Sequence, residues 1–193
     1  MKVLGIYGSP RKGGNTDLLL DRVLEGAKSV GAEILTVYAR NLKMTGCLEC
    51  GGCDETGVCV VDDGMTDVYP LLQEAEIIFL GTPIFFYAAP AQVKAVIDRS
   101  QAMWSKRKLA KPPKEWSNYT SGKGYMIACG ATKGKNLFEG LELMAKYFFD
   151  ALDMSYEGSL TFRKIEGKTA ILEHPTAINE AFDFGRRAVT GDK

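Results

Sequence analysis

The sequence predicts an α/β fold built around a parallel sheet, on three observations. β-rich runs alternate with stretches of helical apolar periodicity along the whole chain. The 193 residues, 46% hydrophobic and 25% charged, suffice to bury a sizeable core. No linker, repeat or low-complexity tract interrupts them, so residues 1–193 are expected to form one domain.

Lys2–Tyr7 is a short β-rich run that ends at Gly8. Thr16–Val30 places Leu20, Val23, Leu24 and Ala27 at i, i+3, i+4 and i+7, which predicts an amphipathic helix capped by Asn15 or Thr16 and stopped by Gly31. Glu33–Tyr38 is a second strand. A cysteine loop at 47–59 follows, then a helix near Met65–Ala75 and a third strand, Glu76–Gly81. Pro90 opens a helix over Ala91–Met103. Residues 104–122, which contain SKRKLAKPPKEW, are expected to form an irregular basic excursion. Gly124–Gly130 and Tyr156–Phe162 are the fourth and fifth strands, separated by a helix at Leu137–Leu152. A helix near Ala177–Val189 completes the set. Five strands with intervening helices fit a flavodoxin-like, doubly wound five-stranded parallel sheet with helices on both faces and the cysteine loop as an insertion. Ligands of such sheets sit at the carboxyl ends of the strands, so loops 8–15, 82–90 and 130–136 are the places for chemistry.

The first of these reads G-S-P-R-K-G-G-N-T over 8–16. It matches neither a Walker A loop, since Gly13 is followed by Gly14 rather than lysine, nor GxGxxG. It does bring backbone N–H groups, the Ser9 and Thr16 hydroxyls, the Asn15 amide and Arg11 to a helix N-terminus. Helix dipole, hydrogen bonds and one counter-charge together suit a terminal phosphate. A glycine-rich turn with a capped helix is the plainer alternative. The second loop, T-P-I-F-F-Y-A-A-P over 82–90, is apolar, aromatic and stiffened by two prolines, which suits a flat ring; simple core burial is its alternative. The third, from Cys129 and Gly130 to Lys135, is placed to close over that ring, with Lys133 or Lys135 near a reduced, anionic form. Cys129 is either a buried strand-end thiol or a redox group beside the ring.

Four of the five cysteines, Cys47, Cys50, Cys53 and Cys59, form a C-x2-C-x2-C-x5-C run. Thiolates this close repel one another unless positive charge lies between them, and an iron–sulfur cluster meets that need. Gly51 and Gly52 supply the backbone freedom for a tight wrap. A four-thiolate zinc, disulfides and a metal-free or vestigial dithiol loop remain open at this point, although zinc sites usually come as two separated CxxC knuckles.

Formal net charge is zero, which points away from nucleic acid and from anionic membrane surfaces. The N-terminal MKVLGIYGSP enters a strand directly and no stretch is long enough to span a membrane, so a cytoplasmic location is expected. The single histidine, His174, stands before a proline and is expected in a solvated loop. Charge is nevertheless segregated. Met44–Val93 holds eight acidic residues and no lysine or arginine, whereas Arg99–Lys135 holds nine basic residues and one acid, Glu115. Each run is either a solvated face or one half of an electrostatic match, with a neighbouring subunit or with an acidic redox partner. The second option rests on Lys106, Arg107, Lys108 and Lys111.

GSPRKGGNT together with TPIFFYAAPAQVKAVIDR resembles the NADPH-dependent FMN reductase group of flavodoxin-like proteins. The added cysteine run resembles the iron–sulfur flavoproteins within it, and the likeness extends over residues 1 to about 135. The resemblance implies that Ser9, Arg11, Gly14, Asn15 and Thr16 hold the FMN phosphate. Pro83, Ile84, Phe85, Phe86 and Gly130 lie along the ring and ribityl chain, and Cys47, Cys50, Cys53 and Cys59 ligate a [4Fe–4S] cluster. It further implies a homodimer or homotetramer that takes electrons from a ferredoxin-like or NAD(P)H donor and passes them through FMN to an acceptor such as oxygen or peroxide. Two rivals stand beside it: an NAD(P)H-dependent FMN or quinone reductase without a cluster, and a non-enzymatic flavodoxin-like carrier.

Overall fold

A computed structural model describes residues 1–192. The chain runs β1 (Lys2–Tyr7), α1 (Asn15–Ser29), β2 (Glu33–Tyr38), α2 (Val68–Glu74), β3 (Ile77–Pro83), α3 (Ala91–Arg99), α4 (Gln101–Ala110), β4 (Gly122–Gly130), α5 (Glu139–Ala151), β5 (Met154–Arg163) and α6 (Ala177–Thr190). The five strands form one sheet in the order β2-β1-β3-β4-β5, every pair parallel. This is the flavodoxin-like order, with its switch point between β1 and β3.

The strands read as they do because both faces are covered. Along β3, Ile77 and Phe79 join one buried cluster while Ile78 and Leu80 join the other, so the unbroken apolar run serves two cores through the period-2 pleat. One core packs the sheet against α2, α3 and α5 through Val68, Leu72, Val93, Val96, Leu141 and Phe149. The other packs it against α1 and α6 through Leu19, Leu20, Val23 and Ala181. There the two helices touch backbone to backbone. A methyl group on Gly26 would sit 1.9 Å from the Phe182 carbonyl oxygen, and one on Gly185 would sit 1.8 Å from that of Val23.

Two expectations are corrected. The helix expected at Ala91–Met103 breaks at Ser100, whose hydroxyl donates back to the Val96 carbonyl at 3.0 Å and whose N–H is shared between Val96 and Ile97. A second helix, α4, then runs through residues expected to be irregular, leaving only 111–121 without strand or α-helix. The reason is a long-range anchor. Arg107 is buried, pairs with Asp150 at 2.9 Å and Asp153 at 3.2 Å, and donates to the carbonyls of Asp150 and Trp116. Lys111 adds a 2.5 Å pair with Asp153. Burial opposes the Asp153 carboxylate, but bonds from Lys111 and Thr120 and the charges of Lys111 and Arg107 outweigh it and hold its pKa below the usual range. The other correction is at α1, where Gly14 occupies the cap position and Asn15 is already helical. Among the described residues no helix is long and apolar enough to cross a membrane.

Gly185→Ala should destabilise the protein by about 3 kcal/mol in urea titration, because the added methyl meets backbone rather than a movable side chain. At an uncrowded helix position the same change would stabilise by up to ~1 kcal/mol, so the sign decides. Asp153→Asn should cost about 3 kcal/mol at pH 7 by stranding Arg107 and Lys111. A depressed carboxylate contributes above its unfolded pKa of about 3.9 and loses that contribution as pH falls through the folded value. The difference between wild type and variant should therefore shrink below about pH 4.

Candidate functional site

The ladder between β1 and β3 continues into the loops. Gly8 N–H donates to the Gly81 carbonyl at 2.7 Å, so the chain leaves both strands at the same height. A cavity of about 380 Å³ opens there, at the switch point. Ser9, Arg11, Asn15 and Thr16 line one side, and Pro83, Ile84, Phe85 and Gly130 the other. These are eight of the ten cofactor residues expected from sequence. Gly14 and Phe86 are outside it. Gly14 is buried as the α1 cap, while Phe86 points wholly into solvent at the tip of the 84–88 turn.

That turn closes through paired Phe85 and Ala88 backbone bonds of 2.9 Å, with Phe86 at φ 50° and Tyr87 at φ 63°. Aromatic residues in the left-handed region are uncommon and carry strain. Phe85, Phe86 and Tyr87 are all exposed, so the strain presents an apolar tip rather than filling the core.

The phosphate-type loop is braced from below. Asp17, buried in the first turn of α1, accepts from the Gly13 N–H at 2.9 Å and pairs with Arg40 at 3.0 Å. Arg40 also donates to the Ser9 carbonyl at 3.1 Å. The loop's own acid is thereby neutralised, which leaves the exposed Arg11 as the loop's cation facing the cavity. Asn15, in the same cavity wall, also makes two long-range bonds. Its side chain donates to the Gly167 carbonyl at 2.6 Å and accepts from the Ile171 N–H at 3.1 Å, tying the segment after β5 to the site. That tie brings Ile165 and Glu166 into the cavity wall. Sequence reading missed both, since nothing local marks a residue beyond the fifth strand as belonging to a loop at the first. Cys129 also lines the cavity, with its sulfur 3.4 Å from the Thr16 hydroxyl. Burial pushes its thiol up, with Thr16 opposing, so it is held neutral at ordinary pH. Lys133 and Lys135 are exposed and line no part of the cavity.

The cysteine loop crosses from β2 to α2. Cys47, Cys50, Cys53 and Cys59 all line a second cavity, of about 600 Å³, and all five cysteines of the chain are free thiols. Gly51, at φ +71°, makes the tight turn between Cys50 and Cys53. The loop packs on α4, with Cys53 Sγ 3.6 Å from Ser105 Oγ and Gly57 against Lys106. Arg99, the last residue of α3, forms part of the cavity wall and is buried. Burial opposes ionisation of Cys59, but the Val61 N–H, the Tyr69 hydroxyl and the Arg99 charge hold its thiol below the usual value. Among the described residues no three Cys, His, Asp or Glu side chains converge closely enough to hold a metal ion. The donor set therefore fits a thiolate-held centre by chemistry and shared cavity, while the sulfurs stand apart.

The basic run looks different in three dimensions. Arg99 and Arg107 are buried in ion pairs with Asp63 and Asp150/Asp153, Lys111 is paired with Asp153, and Lys106 donates to Gln73 at 2.7 Å. A docking face built on Lys106, Arg107, Lys108 and Lys111 loses Arg107, which is buried, and is weakened at half-buried Lys111, which is paired with Asp153. Four of the nine basic residues are tied to tertiary partners, while Lys108, Lys114, Lys123, Lys133 and Lys135 are exposed.

Comparison with known proteins gives the lineage. The model of the family described as NADPH-dependent FMN reductase matches residues 1–155. An iron-sulfur flavoprotein of Methanosarcina thermophila is 41% identical over 100 residues, 52% of this chain and 52% of that protein. One from Archaeoglobus fulgidus is 37% identical over 99 residues, 51% of this chain and 45% of its own length. The match thus spans about half the length of these curated relatives. A flavone reductase structure superimposes with a TM-score of 0.72 at 19% identity, over 99% of this chain and 62% of that one, which speaks to the fold. With the family model spanning residues 1–155, from β1 through α5, the chain belongs to the NADPH-dependent FMN reductase family.

Proposed function

We propose that this protein is a flavin-dependent oxidoreductase that binds FMN at the switch-point cavity and carries a [4Fe–4S] cluster on Cys47, Cys50, Cys53 and Cys59. The observation that carries the reading is that two cavities gather the two residue sets: eight of ten flavin-type residues in one, all four loop thiols in the other. Bound FMN would supply one- or two-electron storage, and a bound cluster single-electron transfer.

The chain's own residues then have distinct tasks. Ser9, Thr16, Arg11 and the loop N–H groups receive a phosphate at the start of α1, which Asp17 and Arg40 hold in shape. Pro83, Ile84 and Phe85 provide the apolar wall for a ring, and the neutral Cys129 thiol completes the floor. The donor is of ferredoxin or NAD(P)H type, and the acceptor is a small oxidant of the oxygen or peroxide class. Exposed Phe85, Phe86 and Tyr87, with exposed Leu48, Val58 and Val60 on the cysteine loop, support assembly as a homodimer or homotetramer. Free thiols throughout accord with a reducing cytoplasm.

A second reading is favoured by the separation of the loop sulfurs: an NAD(P)H-dependent FMN or quinone reductase with an empty thiol loop. Anaerobically purified protein should contain one FMN, about four irons and about four sulfides per chain, with an EPR signal on reduction. Fewer than about two irons, together with rapid bleaching of the flavin by NADPH, would establish the second reading instead. Cys50→Ala should abolish iron and the EPR signal while FMN is retained. Thr16→Val, which removes a hydroxyl and keeps the shape, should weaken FMN binding about tenfold in fluorescence titration, or ~1.4 kcal/mol.

A further inference from the structure

Arg99 is the most buried large side chain in the molecule that carries a charge, with its side chain 1% exposed. Its guanidinium reaches across the base of the cysteine loop. One terminal nitrogen donates to the Thr45 carbonyl at 3.1 Å and to Asp63 at 2.8 Å; the other donates to the Val61 carbonyl at 3.1 Å. Thr45 lies two residues before Cys47, and Val61 two residues after Cys59. One planar group thus closes both ends of the thiol loop, a geometry that lysine's point charge does not reproduce. Asp63 reinforces the closure by accepting from the N–H groups of Thr45 at 3.2 Å and Met65 at 3.0 Å.

Closure alone does not account for the choice of residue. Burying a cation is expensive, and a neutral donor would bridge two carbonyls at lower cost. The single carboxylate on Arg99, Asp63, is partly solvated, and the Arg99 Nε–H is buried with no acceptor. What singles out this buried cation is its place: Arg99 forms part of the wall of the cavity that four thiols line, so its charge lies beside any negative charge held there.

We infer that Arg99 is the positioning residue and internal counter-charge of the thiol site: it draws the two ends of the loop together and stabilises the added electron of the centre held there. The inference rests on the proposed cluster reading for its second half, and its first half is independent of it. By this account Arg99 raises the reduction potential of the centre, and Asp63, by partly cancelling Arg99, lowers it.

The test uses full-length wild type, Arg99→Gln, Arg99→Lys and Asp63→Asn. In redox titration followed by EPR, Arg99→Gln should disfavour one-electron reduction at least tenfold, about 59 mV downward. Asp63→Asn should shift it upward, and Arg99→Lys should stay near wild type. Opposite signs from two partners in one ion pair are not the signature of simple loosening, which moves both the same way. In cluster-free protein, hydrogen exchange over residues 45–61 should quicken about tenfold in Arg99→Gln and less in Arg99→Lys, with the β-strands unchanged. Wild-type potential in Arg99→Gln, or shifts of the same sign in Arg99→Gln and Asp63→Asn, overturns the counter-charge. Unchanged exchange over 45–61 overturns the clamp. Wild type that takes up neither iron nor sulfide refutes the cluster reading and with it the counter-charge, and the exchange data still decide the clamp. Should Arg99→Gln fail to fold, Arg99→Lys and Asp63→Asn supply both readouts: faster loop exchange in Arg99→Lys supports the clamp, and a potential that Asp63→Asn leaves unmoved overturns the counter-charge.

Discussion

The parallel pairing of β1 with β3 is the constraint on which the rest of this structure depends. It places two strands that are distant in sequence side by side, running the same way, so that the loops leaving them emerge at one edge. The Gly8 to Gly81 hydrogen bond extends the ladder one step beyond regular pairing and sets the spacing of those loops. Ser9, Arg11, Asn15 and Thr16 from the first loop and Pro83, Ile84 and Phe85 from the second then line one cavity. Because a parallel sheet needs both faces covered, helices α1 and α3, which follow these strands, lie on opposite faces. The amino end of α1 opens onto that cavity, while the carboxyl end of α3 closes the thiol cavity on the other side.

The two cavities are built by different physics. At the switch point, an acid that would repel a phosphate is neutralised within the fold by Arg40, which leaves Arg11 and the Ser9 and Thr16 hydroxyls in the cavity wall. In the cysteine loop there is little regular structure, so shape comes from a left-handed glycine, packing on α4 and the Arg99 fork. Buried guanidinium groups recur: Arg99 and Arg107 each tie an irregular segment to a helix end by bonds to main-chain carbonyls. Segments of low intrinsic order are held here by donors supplied from elsewhere in the chain.

Much of this was legible in the residues. The alternating pattern yields all five strands within a few residues of their observed ends, since β3 is a continuous apolar run and Gly8 and Gly130 mark the ends of β1 and β4. Eight of the ten residues expected to hold a cofactor line one cavity, and they were legible because phosphate loops and apolar ring walls carry local composition. What was not legible depends on distant partners. Arg99 and Arg107 read as members of a basic surface run, and only contact with Asp63 and Asp150 turns them inward. Asn15 reads as a phosphate ligand because its position suits one, and its side-chain bonds to Gly167 and Ile171 lie beyond the reach of any local pattern. Glu166 enters the wall through that same tie. The helix over 101–110 was obscured because its lysines and arginine suggest exposure, whereas Ala102, Met103, Ser105 and Arg107 form a buried stripe.

The glycine contact between α1 and α6 has a bearing on how the chain is made. Gly26 and Gly185 are separated by most of the sequence, so during synthesis α1 emerges long before the helix that seals its flank. Contacts of such sequence separation form slowly and late. Helix α1 also carries the phosphate-type loop at its start, and Asn15 at its first turn waits for the 167–171 segment as well. Completion of the loop at the start of α1 is thereby deferred until the 167–171 segment and α6 have been made, so the first loop of the fold is among the last to be braced.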